Sequence, residues 1–185
     1  MVQREGRVEE SVKECQLVDN TIKSSCFQGV FMENIQRENL GEHGIAVRAN
    51  WDREYIKSEK KTCELYRDNE QIECWRSLSL AILTASGFHF MEASSMCNQA
   101  HSELSKKACT MEVLGKLLVR KFSNQVEPEE DYCGIFNIKS EYEECLEEAI
   151  NYVMLTSKQY KSPMENYCNI VLLDEKDNCL QIINR

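Results

Sequence analysis

Apolar residues recur at intervals of three and four in three stretches of this chain: Trp75, Leu78 and Ile82; Val113 and Leu117; and Leu146, Ala149, Ile150, Val153 and Met154. That spacing is the signature of a helix with one buried face. Each stripe follows a cysteine, Cys74, Cys109 or Cys145. Between paired cysteines the chain opens apolar and then turns polar, as from Cys133 to Cys145 and from Cys168 to Cys179. Gly87 closes the first stripe, and Pro128 and Pro163 open new elements. Ser162-Pro163-Met164-Glu165 reads as an N-cap, a first-turn proline and an acidic first turn. The pattern predicts a unit of two helices, the first ending near a cysteine and the second starting near another, with a polar turn between them.

The cysteines carry this unit along the chain. They fall as five pairs, Cys15/Cys26, Cys63/Cys74, Cys97/Cys109, Cys133/Cys145 and Cys168/Cys179. From the second pair onward the period is 34 to 36 residues, and a fixed period of that size marks one supersecondary unit used repeatedly. Two copies share a similar stretch, Pro128-Glu-Glu-Asp-Tyr132-Cys133 and Pro163-Met-Glu-Asn-Tyr167-Cys168. In an unbroken helix, cysteines eleven residues apart lie roughly 16 Å apart along the axis. A disulfide needs Cα atoms within about 7 Å. Bridges within pairs therefore require the chain to turn back, at polar stretches such as Arg67–Gln71 and Asp174–Asn178. Each closed loop of about a dozen residues contributes roughly 3 kcal/mol in the chain-entropy model. The rival is a bundle of long antiparallel helices cross-linked between pairs, Cys63 with Cys109 and Cys74 with Cys97. It leaves one of five pairs over and breaks the apolar stripe at each polar stretch.

Seven Gly and two Pro among 185 residues, with many Glu, Lys, Leu and Met, favour helix. The fold class is all-α, tandem hairpins of about 35 residues in a single domain over 1–185, a length suited to one buried core. Residues 1–10 read as a flexible segment. Residues 38–52, holding Gly41-Glu-His-Gly44, read as an irregular insertion with room for a binding loop.

Charge narrows the partners. The net charge is −9, which repels a phosphate backbone, and no basic stripe offsets it, so nucleic acid is excluded. No apolar run reaches the roughly 20 residues of a membrane span. The first ten residues lack a signal-peptide apolar core, so export implies a signal already removed. Ten cysteines at these spacings, with His43, His89 and His101 away from ligand positions, fit disulfides in an oxidising compartment better than zinc. All ten are therefore assigned to disulfides, with secreted or periplasmic localisation.

The 35-residue, self-bridged αα-hairpin and the stretch Cys26-Phe27-Gln28-Gly29 resemble the exported cysteine-rich Sel1-like repeat proteins, cousins of tetratricopeptide repeats. The resemblance covers about residue 8 to the end and implies an exported helical interaction protein. Some relatives bind or hydrolyse β-lactams, and no residue here matches such a role.

Catalytic and cofactor signatures are missing: no His-Glu-x-x-His, no Gly-rich phosphate loop and no nucleophile elbow. The acidic runs Glu127–Asp131 and Glu143–Glu148 suit helix N-termini. His89, between Phe88 and Phe90, is the most conspicuous titratable group, and an even cysteine count leaves no spare thiol. The expected function is a non-enzymatic module binding a protein partner, without metal or cofactor. The alternatives are an uncharacterised exported enzyme or a binder of a small apolar ligand, in a pocket lined by Met91, Met96, Met111, Phe88, Phe90 and Trp75.

Overall fold

The computed structural model describes residues 2–37, 51, 53–172 and 174–184, with side chains from Val8 to Ile35 in the first two helices. The described residues form nine α-helices and no strand: α1 (Val2–Gln16), α2 (Asn20–Arg37), α3 (Arg53–Cys63), α4 (Asp68–Ala85), α5 (Phe90–Cys97), α6 (Glu103–Ser123), α7 (Lys139–Thr156), α8 (Lys161–Tyr167) and α9 (Lys176–Ile183). Short 3-10 helices span Tyr132–Ile135 and Lys158–Tyr160. The protein is all-α.

All five bridges form within pairs, with Cα separations from 5.5 to 5.8 Å. Long helices cross-linked between pairs are thus not the arrangement adopted. Cys63 and Cys97 end α3 and α5, Cys15 lies one residue from the end of α1, and Cys168 follows α8. The partners Cys26, Cys74, Cys109 and Cys145 each sit two turns into the next helix. A cysteine at a helix end can then reach back to the second turn of its successor. Every cysteine but Cys26 is buried.

Several local expectations are corrected. The polar stretches coincide only in part with the turns: α4 begins at Asp68, inside the first, whereas Asp174 and Glu175 form a turn before α9 begins at Lys176. Asp68, Glu70 and Asp177 lie in first turns, where acidic residues complement the helix dipole. Pro128 opens no helix. Instead Asp131, whose carboxylate accepts from the Cys133 N–H at 3.1 Å, caps the 3-10 helix Tyr132–Ile135. Ser162 lies inside α8, and Ser157 caps the preceding 3-10 turn. Pro163 still falls in the first turn of α8, where its missing N–H costs nothing. Helix α1 runs from Val2 to Gln16, so it takes in most of the segment 1–10. Apart from Trp51, the expected insertion over 38–52 lies outside the described residues.

The chain divides into two compact units, Met1–Thr110 and Met111–Arg185. In the first, α4 is the central helix and packs against α2, α3 and α5. Trp75, Leu78, Ala81, Ile82 and Leu83 are buried, and so are Ser77 and Ser79, which makes α4 buried nearly all round. Ser24 donates to Glu73, and Ser77 Oγ donates to the Gln28 carbonyl at 3.5 Å. Both links join residues 49 apart, so α2 and α4 run in the same direction. Helix α4 stops at a Schellman motif: Phe88 N–H reaches the Leu83 carbonyl at 2.9 Å and Gly87 N–H the Thr84 carbonyl at 3.0 Å. Gly87 has φ +63°, the left-handed backbone this cap requires.

In the second unit, α7 packs against α8, α9 and both 3-10 helices. Its Leu146, Ala149, Ile150 and Val153 are fully buried. Gly115 on α6 admits the Tyr152 ring of α7, because a Cβ there would lie 2.7 Å from Tyr152 Cγ.

Candidate functional site

A groove in the first unit gathers the charged chemistry of that unit. Helix α3 carries Arg53, Lys57, Lys60 and Lys61, a spacing of four, seven and eight residues that a helix collects on one side. Local charge order favours the helix, with Glu54 in the first turn and Lys60 and Lys61 in the last. This basic row corrects the expectation that the chain has no basic stripe. The composition hid it, because an acidic total says nothing of how a few cations are spaced.

Helix α5 supplies Glu92, Ser95 and Met96 to the facing wall, and Gln99 and His101 continue it. Buried Ile56 and half-buried Met96 contribute apolar surface. The groove has a volume of about 740 Å³, inside the roughly 300–1,000 Å³ of ordinary ligand sites. Arg53 meets Glu92 at 2.5 Å, and Lys60 donates to Gln99. Both links join residues 39 apart, so α3 and α5 also run in the same direction. Beyond the helix ends, His101 Nδ1 pairs with Glu64.

Each wall ends in a disulfide. Cys63–Cys74 ties the end of α3 to α4, and Cys97–Cys109 ties the end of α5 to α6. These staples hold the walls without a ligand, which lowers the ordering cost of binding. Burial lowers the pKa of Lys60, Glu64 opposes that shift, and Lys57 adds to it.

A second concavity of about 560 Å³ adjoins the first across Glu64 and His101. The exposed side chains Leu65 and Leu104 lie along it. Buried Gln71 braces the shared edge: it donates to Glu64 Oε2 at 3.2 Å and to the Tyr66 carbonyl at 3.3 Å, and accepts from Ser105 Oγ at 3.3 Å.

The groups singled out from sequence are not brought together. His89 is exposed at the N-cap of α5 and makes no side-chain cap bond. Of the six suggested pocket residues, Met96 lines the groove, Met91 is exposed, Phe88 is half-buried, and Trp75, Phe90 and Met111 are buried in packing. In the acidic runs, Glu127 accepts from Asn166 at 3.2 Å, Asp131 caps the 3-10 turn, and Glu143 faces Lys139 at 3.7 Å. Among the described residues no three His, Cys, Asp or Glu gather as metal ligands, and no helix is long and apolar enough to cross a membrane. No protein family, curated protein or solved structure matches this chain.

Proposed function

We propose that this chain is an exported, non-catalytic interaction module that holds a protein ligand in the groove between α3 and α5. The observation that carries this reading is the groove's construction: an open channel whose two walls each end in a buried disulfide. Five disulfides favour an oxidising compartment, the periplasm or the cell exterior. A binding role is supported over a catalytic one because Glu92 and Glu64 are engaged by Arg53 and His101, and no cysteine is free. The parallel pairs α2 with α4 and α3 with α5 support reading the first unit as stacked hairpins, an arrangement other helical repeats use to present binding surfaces. The resemblance to exported Sel1-like repeat proteins points the same way. Nucleic acid is not the proposed partner of a chain with net charge −9.

Peptide-display selection on the oxidised protein, with counter-selection on Ser95→Trp, tests the reading. Ser95 is exposed on the groove wall, so an indole there obstructs the channel. Peptides that bind the native chain and not the variant are expected. A selection that enriches nothing, or enriches peptides indifferent to Ser95→Trp, overturns it. Saturable uptake of a fluorescent lipid probe, displaced by small apolar compounds, would instead favour the small-ligand alternative.

A further inference from the structure

The two carboxylates of the groove are already matched, Glu92 by Arg53 and Glu64 by His101. Lys60 is held by Gln99, a neutral acceptor. Lys57 and Lys61 are exposed and make no ion pair among the described residues. The groove is therefore short of negative charge, although the chain carries net charge −9.

Spacing narrows the occupant. Arg53, Lys57 and Lys61 stand four residues apart on α3, about 6 Å of axial rise per step. An extended peptide advances about 3.3 Å per residue, so its alternate side chains lie about 6.6 Å apart on one face. The two pitches nearly coincide over the length of this row. The other face of the same peptide would turn toward α5, where Met96 offers apolar surface.

We propose that the groove binds an extended acidic peptide segment, with carboxylates at alternate positions against the α3 lysines and apolar side chains between them against α5. This inference rests on the interaction-module reading and adds the chemistry of its partner. A carboxylate brought to Lys57 and Lys61 finds unpaired cations at the rim. Such charges steer encounter and set register, and their effect falls with salt. Apolar positions in the segment answer Met96, which a polyphosphate would leave unmatched.

Fluorescence anisotropy on the full oxidised chain tests it, with a labelled decapeptide of alternating Glu and Val as probe. The comparators are the same composition with its Glu residues in one block, an alternating Lys and Val peptide, and a short single-stranded oligonucleotide. The alternating acidic peptide is expected to bind, with affinity falling about tenfold between about 50 and about 300 mM salt. Lys57→Glu with Lys61→Glu is expected to weaken it at least about tenfold. Lys57→Met with Lys61→Met should fall between, and Lys158→Glu, in the other unit, should leave it unchanged. Circular dichroism of each variant must match the native chain, and the neutral double variant carries the test if the charge reversal unfolds. No binding, binding indifferent to both double variants, or equal affinity for the blocked peptide or the oligonucleotide overturns the proposal. Display-selected peptides that need the open groove but lack carboxylates would also overturn it, and would leave the interaction module standing.

Discussion

Tyr132 and Tyr167, each the residue before a cysteine in its own pair, stack with ring centroids 6.3 Å apart. The Tyr167 hydroxyl oxygen accepts from the Tyr132 backbone N–H at 3.2 Å. Tyr142 completes the cluster, donating to Asp131 Oδ2 at 2.6 Å and accepting from the Leu172 N–H at 3.1 Å. The start of the fourth cysteine pair is thus held by side chains that lie far along the chain.

Tyr167→Phe keeps the ring and leaves the buried Tyr132 N–H without its acceptor. A buried donor left unsatisfied costs about 1–3 kcal/mol. Urea unfolding should show that loss, and exchange of the Tyr132 amide should accelerate. Unchanged exchange at Tyr132 would mean that the bond contributes nothing.

Alkaline pH should destabilise the fold between pH 10 and about 12. Burial raises Tyr66 from 10.0 to about 12, with Glu9, Glu70 and Glu59 adding to it. Burial likewise raises Tyr152 to about 12, with Glu112 adding to it. A raised folded-state pKa gives stability that is complete below the unfolded value of 10.0 and is lost as pH rises through the folded value. Lys116, lowered by burial against the pull of Glu112, acts in the opposite sense below 10.5. Burial also raises Tyr132, Tyr142 and Tyr167, and these tyrosines together outweigh the two lowered lysines, Lys60 and Lys116, so urea midpoints should fall above pH 10 together with the rise in tyrosinate absorbance. Midpoints that stay flat to pH 12 would refute the assignment.

Two glycines should respond oppositely to alanine. At Gly115 the new Cβ meets Tyr152 Cγ at 2.7 Å and Cδ1 at 2.8 Å, and overpacking of this kind costs about 1–3 kcal/mol. At Gly29, inside α2, a Cβ meets nothing within 4 Å, and alanine should stabilise by about 0.5–1 kcal/mol. Thermal unfolding of both variants checks the pair, and equal shifts would sink the packing argument.

Gln125 has φ +56° just past α6. Its N–H bonds the Phe122 carbonyl at 3.1 Å, and the Val126 N–H bonds the Lys121 carbonyl at 2.9 Å, a Schellman cap with a side chain in the left-handed position. Gln125→Gly should raise stability by about 0.5–1 kcal/mol. A lower unfolding midpoint would show that the glutamine side chain outweighs its backbone strain.

Removing the Cys97–Cys109 bridge by alanine at both positions should cost about 2–4 kcal/mol. It also frees the end of α5, so groove binding should weaken by more than the bridge's distance from the lysines would explain. Measured on variants that remain folded, unchanged peptide affinity would show that the staple does not shape the groove.

Much of this was readable from residue order alone. The stripe Trp75, Leu78, Ile82 marked α4, Gly87 marked its end, and the cysteine spacing marked where the chain must turn, because helix periodicity and disulfide reach are short-range constraints. Boundaries slipped where a side chain acted locally in a different way from the one its position implied. Asp68 and Glu70 read as part of a turn and instead start a helix, and Asp131 caps a 3-10 turn where Pro128 reads as opening a helix. The basic row of α3 was present in the spacing of Arg53, Lys57, Lys60 and Lys61, yet it acquires meaning only when α5 lies alongside it. Tertiary structure alone decided that His101 reaches Glu64, that Tyr132 stacks on Tyr167, and that Gly115 faces Tyr152. These contacts join residues 35 or more apart, and their geometry depends on how whole helices pack, which local sequence pattern does not encode.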